Sequence, residues 1–324
     1  MNKTNDSVII VIKTLNNISG YYIPIFFCFS VLVNSLSMYV CFYTKLRYSS
    51  SSIYLGVLAI SDIGVLITIF VDWLELRNII YVNYLDELLT GSEKLFDFLS
   101  VWIIVVFTVQ RYMAIKRPLL CRLDTVKRAK NVVLGLADLA VLYSIPWFIM
   151  IAMYINIHTY DEERKLDYWW WIFDTINAII TFVLPTTITA IFNARIVHNI
   201  REHNRIQRNL ILSFVASNKK TKSSENETSY IEDTKMLVII SSTIICLNIP
   251  FQISRQLVAL EILEISNKHF YIIWIVTQLL WLANYGINFF LNCATGKNFR
   301  KEMIRIFTKR SDIRRNEDIE MEKY

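Results

Sequence analysis

The chain is organised as long apolar blocks separated by mostly short polar segments. A helix needs about 20 apolar residues to cross the ~30 Å hydrocarbon layer of a bilayer, and seven blocks reach that length. They are Tyr21–Tyr43, Ile53–Leu76, Lys94–Ile115, Val132–Tyr154, Trp169–Phe192, Met236–Leu260 and Phe270–Leu291. The blocks are continuous and do not alternate like the strands of a membrane barrel. The pattern therefore predicts an all-α membrane protein, a seven-transmembrane helix bundle.

The segments outside the blocks complete this predicted organisation. The polar segment Arg195–Lys235 is the long exception among the short connections and is expected to be a loop. Beyond the last block, 295–310 has the pattern of a short amphipathic cytoplasmic helix, with Phe299 and Met303 on one face and Arg300 on the other. The predicted parts are an extracellular N-terminal tail (1–20), the seven-transmembrane domain (21–294), the amphipathic interfacial helix (295–310) and a cytoplasmic tail (311–324).

Composition and charge support a membrane protein and predict its orientation. Apolar residues make up 54% of the chain and charged residues 19%, which excludes a disordered chain. With the N-terminus outside, 26 of the 34 Lys and Arg residues lie on the inner side, as the positive-inside rule requires. The N-terminal tail then carries three predicted glycosylation sites, at Asn2, Asn5 and Asn17.

Polar residues recur inside the blocks, and Asp62 in the second block is the most costly of them. An ionisable group near the middle of a membrane needs partners and is a functional candidate by default. Neutral oxygens and amides are available on the first, third and seventh blocks, from Asn34, Ser100, Asn284 and Asn288. We expect these residues to form one polar core around Asp62.

The order and spacing of several motifs resemble one known family. The motifs are Leu58–Asp62, Gln110–Tyr112, the prolines Pro146, Pro185 and Pro250 inside blocks four to six, and Asn284–Asn292 at the end of block seven. Together they resemble those of the rhodopsin-like G-protein-coupled receptors, particularly receptors for FMRFamide-like and related neuropeptides. The resemblance covers the chain from about Pro24 to Arg310 and implies a multi-pass receptor of the plasma membrane.

The resemblance implies roles for individual residues. Coupling to a heterotrimeric G protein and activation would rest on Gln110, Arg111, Tyr112, Pro250 and Asn288. No cofactor is implied except a sodium ion, held by Asp62 and Ser100 with Asn34, Asn284 and Asn288; the alternative is a hydrogen-bonded core without an ion.

The chain also departs from the family pattern. Gln110 stands where the family has an acid, so we hypothesise raised basal signalling. Asn248 replaces the switch tryptophan of the family, and Phe289 and Asn292 replace the proline and tyrosine of its seventh-span motif. None of the five cysteines is placed to form the usual outer disulfide.

The outer halves of the blocks carry the predicted ligand site. Its candidate residues are Asp72, Glu93, Asp97, Asp174, Phe251, Gln252, Arg255 and Gln278. Glu93 and Asp97 are four residues apart and share a helical face. Because acids exceed bases here, we expect a cationic ligand, such as the arginine of an amidated peptide or a protonated amine. The alternative is an internal salt bridge, for instance Asp97 with Arg255, that closes the pocket without contacting a ligand.

Several functions are compatible with the sequence. A neuropeptide receptor is favoured; a chemosensory receptor of the same fold and, less so, a biogenic amine receptor are the alternatives. A transporter is disfavoured because no repeats are visible, and an enzyme because no catalytic constellation lies within the blocks. The expected partners are a peptide or small cationic ligand, a heterotrimeric G protein and membrane lipids, with no nucleic acid.

Overall fold

The computed structural model describes residues 2–80, 85–116, 125–155, 160–214, 223–259, 262 and 268–308, and this part of the chain is helical with short turns and no strand. Eight long helices are α1 Asn2–Tyr43, α2 Ser50–Leu76, α3 Leu85–Lys116, α4 Thr125–Ile155, α5 Tyr160–Ala178, α6 Leu184–Phe214, α7 Ser223–Ala259 and α8 Lys268–Thr295. A 3₁₀ turn, Lys45–Tyr48, joins α1 to α2, and a π-helical segment, Ile179–Val183, joins α5 to α6. Residues 297–308 form a ninth helix, α9.

The long helices pack as a closed bundle of seven rods. Helix α1 contacts α2 and α8, α7 contacts α8, α5 and α6, and α4 contacts α3 and α5. Helix α5, the π segment and α6 follow one another without a break and act as one rod. Helix α3 contacts α2, α4, α6 and α7 and so lies inside the bundle. The predicted seven-helix architecture is confirmed.

Six helical stretches of the described residues are long and apolar enough to cross a membrane. They are Gly20–Tyr43, Ser50–Leu76, Val126–Met150, Tyr168–Glu202, Val238–Val258 and His269–Ala294. Helix α3 is the remaining rod, and its length of 32 residues corresponds to about 48 Å. Because α3 contacts four other helices, its charged side chains can face protein groups and need not face lipid.

The helices extend beyond the predicted blocks, most of all α1, α6 and α7. Helix α1 begins at Asn2, so the predicted N-terminal tail continues the first membrane helix; Asn17 is exposed on it, while the side chains of Asn2 and Asn5 lie outside the described part. The expectation of a loop over Arg195–Lys235 is wrong for 195–214 and 223–235, since α6 continues to Phe214 and α7 starts at Ser223; residues 215–222 lie outside the described part. Arg, Gln, Glu and Leu all have high helix propensity, so a fall in hydrophobicity alone does not end a helix.

The helix α9 is docked on the end of the bundle at which α8 ends, which the distribution of Lys and Arg predicts to be the inner end. Phe299 and Met303 are buried in the main apolar cluster, and the ring of Phe299 lies 6.1 Å from that of Phe289 on α8. Arg300 and Arg305 are exposed on the other side. Helix α9 therefore has the amphipathic character expected from the sequence.

Candidate functional site

A narrow cavity lies between α3, the π segment, α6, α7 and α8. Its polar lining comes from Asp97, Asn248 and Gln252 and from four hydroxyl side chains, and Trp281 of α8 forms an aromatic wall. The hydroxyl residues are Thr181, Thr186, Thr189 and Ser241. Its volume is about 30 Å³, which is room for roughly one water molecule. A ligand larger than water can therefore reach Asp97 only if the helices around the cavity separate.

Asp97 is held in this cavity by a tyrosine that the sequence analysis missed. The hydroxyl of Tyr285 donates a hydrogen bond of 3.0 Å to Asp97 Oδ1. Trp281, one turn earlier on α8, contacts the Tyr285 ring edge-on at 5.3 Å and stacks on Phe251 at 5.0 Å. The four-residue spacing of Trp281 and Tyr285 was the available signal, because it places both rings on one face of α8.

Arg255 is paired with an acid other than the one anticipated. Its guanidinium donates to the carboxylate of Asp174, and both side chains are largely buried. An internal salt bridge, the stated alternative to a ligand contact, is therefore present, but Arg255 forms it with Asp174 and not with Asp97, the pair given as the example. Helix α5 brings Asp174 to α7, whereas Asp97 of α3 faces α8 and Tyr285.

A buried lysine offsets part of the negative charge at the outer end. Lys94 of α3 is only 7% exposed; its Nζ lies 3.7 Å from Glu93 Oε1 and 5.3 Å from the centre of the Trp147 ring. The outer cluster therefore contains two cations, Lys94 and Arg255, alongside its acids.

The remaining predicted ligand residues do not all meet in one place. Asp72 and Glu93 line a separate pocket of about 420 Å³ between the outer ends of α2 and α3, together with Glu75. Glu93 and Asp97 therefore open to different pockets although they share α3. Gln278 is exposed on α8 and does not line the central cavity.

The predicted polar core does assemble, around Asp62. This fully buried carboxylate accepts a hydrogen bond of 3.0 Å from Ser100 Oγ and one of 2.7 Å from Asn288 Nδ2. Asn34 is also fully buried and donates at 2.7 Å to the main-chain oxygen of Tyr285. Side chains of α3 and α8 are thus hydrogen-bonded to Asp62 of α2, and Asn34 of α1 is hydrogen-bonded to the main chain of α8.

The donor set of this core fits a small hard cation. The side-chain oxygens of Asn34, Asn284 and Asn288 are buried and have no hydrogen-bond partner within the described residues. Together with the Asp62 carboxylate and the Ser100 hydroxyl, they are the oxygen ligands that such cations prefer. No group of three or more His, Cys, Asp and Glu side chains that could hold a metal occurs in the described part, so the site relies on one carboxylate and neutral oxygens.

The inner end of α3 carries Arg111 in a buried position. Its guanidinium donates to the hydroxyl of Ser51 on α2 and lies 5.3 Å from the centre of the Phe107 ring. The neighbouring Gln110 keeps a buried side-chain oxygen without a hydrogen-bond partner in the described chain. Tyr112 packs edge-on against Phe192 of α6.

Seven membrane helices around a polar core and an internal cavity define a seven-transmembrane receptor. The sequence model of the 7 transmembrane receptor (rhodopsin family) matches residues 33–290. The chain belongs to this rhodopsin family and is a receptor, not an enzyme. It is also 25% identical over 181 residues to the trissin receptor of Drosophila melanogaster. The match covers 52% of this chain, and the chain spans 27% of that relative.

Proposed function

We propose that this receptor resides in the plasma membrane and couples binding of an extracellular neuropeptide to activation of a heterotrimeric G protein. The observation that carries the proposal is membership of the rhodopsin family over residues 33–290. The similarity to the trissin receptor and the motifs shared with neuropeptide receptors favour a peptide ligand.

The charges at the outer end favour a ligand with a basic group. Three carboxylates, Glu93, Asp97 and Asp174, face two cations, Lys94 and Arg255. Asp174 is paired with Arg255, Lys94 lies 3.7 Å from Glu93 and shares its charge with Asp97, and Asp97 has a tyrosine hydroxyl as its hydrogen-bond donor, so the acids exceed the cations by one. A guanidinium or ammonium group of the ligand can supply the missing positive charge.

The G-protein contact is assigned to the opposite end of α3, at Arg111. In this structure Arg111 donates to the hydroxyl of Ser51 and lies against the ring of Phe107, and the adjacent Gln110 carries no charge. A carboxylate at position 110 would add a charged hydrogen-bond acceptor beside the guanidinium. We therefore expect the change Gln110→Glu to lower ligand-independent G-protein activation several-fold in a second-messenger assay. An unchanged basal output would count against this role of Gln110.

A peptide screen tests the function as a whole. Cells expressing the full chain are exposed to amidated and free-acid peptides and to biogenic amines while G-protein dissociation is recorded. A peptide agonist is expected, and Asp97→Ala should reduce its potency roughly tenfold or more. The matched control is Arg305→Ala on the exposed side of α9, which should leave the potency unchanged. A response to amines with none to peptides would overturn the proposed ligand class.

A further inference from the structure

The hydroxyl of Ser51 is the polar group that α2 presents to Arg111 at the predicted inner end of the bundle. Ser51 is the second residue of α2, and its Oγ accepts a hydrogen bond from the guanidinium of Arg111 on α3. One turn away on each helix, the ring of Tyr54 stacks on the ring of Phe107 at 5.3 Å. The Arg111 guanidinium lies 5.3 Å from the centre of the same Phe107 ring. Ser51 therefore meets Arg111 inside a packed contact between α2 and α3.

The surroundings of Ser51 favour a phosphate group on its hydroxyl. The first turn of a helix carries unpaired N–H groups and a partial positive charge, and both stabilise an anion. The first turn of α2 contains no acidic residue that would already use this effect. Arg111 places a guanidinium at the Ser51 oxygen, and Arg128 of α4 interacts electrostatically with Tyr54, which shares a face of α2 with Ser51. A phosphate at this position is therefore attracted by the helix end and by cations of two other helices.

The chain that precedes Ser51 is held weakly enough for a kinase to reach the serine. Ser51 is half-buried, and the 3₁₀ turn Lys45–Tyr48 joins its helix to α1. Ser49, the N-cap residue of α2, makes no side-chain cap hydrogen bond, so the first turn of α2 opens more easily than a capped one. Lys45 and Arg47 are exposed just upstream. Their charge suits a basophilic kinase, whose substrate-binding surface is acidic.

We propose that Ser51 is a phosphorylation site and that its phosphate captures Arg111, which withdraws this arginine from the G protein. A basophilic serine kinase transfers the γ-phosphoryl group of ATP to Ser51 Oγ. The new bond from Oγ to phosphorus forms as the bond from that phosphorus to the bridging oxygen breaks, ADP leaves, and the hydroxyl proton passes to the base of the kinase. The phosphate then accepts two parallel hydrogen bonds from the Arg111 guanidinium. The proposal rests on the receptor function given above and specifies how its G-protein contact is regulated.

Mass spectrometry tests the modification itself. The full chain is isolated from cells treated with a general phosphatase inhibitor, and peptides that contain residues 49–52 are sequenced. Phosphate is expected on Ser51, and it should disappear in Ser51→Ala while it persists in the matched control Ser49→Ala. A segment without phosphate, or with phosphate only on a neighbouring serine, overturns the proposal.

Basal signalling tests the consequence for the G protein. Ser51→Glu places a permanent carboxylate beside the guanidinium and should lower ligand-independent G-protein activation several-fold relative to Ser51→Ala. The matched control is Ser49→Glu, which adds the same charge two residues earlier, where the side chain makes no cap hydrogen bond. It should change the basal output less than about twofold, because an exposed charge is screened by solvent. Equal effects of the two glutamates overturn the proposed capture of Arg111.

A thermal-stability cycle tests the contact without any G protein. The purified full-length receptor carries phosphoserine, incorporated at position 51 during translation, and is compared with the same protein after phosphatase treatment. The phosphate should raise the Tm by roughly 3–6 °C when Arg111 is present and by much less in Arg111→Gln. A general effect of charge at the end of α2 gives the same shift in both proteins, and that result overturns the proposal.

The measurements separate this inference from the proposed function. A receptor that activates no G protein but shows the Arg111-dependent Tm shift refutes the proposed function and supports the capture of Arg111. A receptor that responds to peptides but shows equal Tm shifts with and without Arg111 supports the proposed function and refutes the capture.

Discussion

Of the two ion pairs that the structure describes in the outer bundle, Arg255–Asp174 joins two helices, whereas Lys94 and Glu93 are neighbours on α3. Arg255 of α7 bonds Asp174 of α5, and both are mostly removed from solvent. Removing one partner of a buried pair leaves an uncompensated charge, which costs about 3–5 kcal/mol. The pairing therefore contributes to how α5 and α7 are held together at the outer end.

This pairing predicts the result of a charge swap. Arg255→Asp should lower the Tm of the purified receptor by roughly 5 °C or more, because it places two carboxylates side by side. The double variant Asp174→Arg with Arg255→Asp should recover most of that loss. The control is the pair Glu302–Arg305 on α9, 3.6 Å apart, where removing the exposed Arg305 side chain should cost at most ~0.5 kcal/mol. Failure of the double swap to recover stability would show that the ion pair is not the important contact.

The buried amide oxygens around Asp62 predict a sodium effect. Sodium chloride should raise the Tm by about 3–6 °C over choline chloride at equal ionic strength, because an ion that binds only the folded state stabilises it. Asp62→Asn should abolish the difference, whereas Asp138→Asn, at an exposed position on α4, should retain it. An identical response in Asp62→Asn would indicate a hydrogen-bonded core without an ion.

At the scale of the element, the π segment shows how a main-chain carbonyl left unpaired in an irregular helix is hydrogen-bonded by a neighbouring helix. Pro185 lacks an N–H, so the carbonyl of Ile180, five residues earlier, has no main-chain donor in the π pattern. The indole of Trp102 on α3 donates to this carbonyl at 3.2 Å. A side chain of α3 therefore supplies the hydrogen bond that the irregular main chain of the α5–α6 rod lacks.

This contact predicts the consequence of removing the indole. Trp102→Phe keeps an aromatic ring but leaves the Ile180 carbonyl unsatisfied, which costs about 1–3 kcal/mol. The expected drop in Tm is roughly 2–10 °C, measured by thermal unfolding of the purified receptor. Trp171→Phe, at an exposed position on α5, is the control with little expected change. An equal, small effect of the two changes would contradict the assigned role of Trp102.

At the scale of the whole molecule, the arrangement of charge predicts orientation. Seven membrane helices place the two termini on opposite sides, and the excess of Lys and Arg on one side indicates the cytoplasm. The docked helix α9, with Arg300 and Arg305 exposed, suits the anionic inner leaflet.

Epitope tags and glycosylation test this orientation. A tag before Asn2 should be accessible on intact cells, and a tag after Tyr324 only after permeabilisation. Asn17→Gln should increase electrophoretic mobility by the loss of one glycan, whereas Asn226→Gln, at a sequon on the predicted cytoplasmic side, should not. Finding both tags on one side of the membrane would refute the seven-helix topology.

The sequence by itself determined the number of membrane helices, the fold class and the members of the polar core. Matching an apolar stretch to the thickness of a bilayer depends only on neighbouring residues, so local pattern was sufficient. Asp62, Ser100 and Asn288 were also predictable, because polar groups inside a membrane must satisfy one another.

Only the tertiary structure decided which outer residues meet. It paired Arg255 with Asp174, separated Glu93 from Asp97 into two pockets and brought Tyr285 to Asp97. These contacts depend on how far each helix is rotated about its axis and shifted along it. Rotation and shift are set by packing between helices that are distant in sequence, which no local pattern encodes.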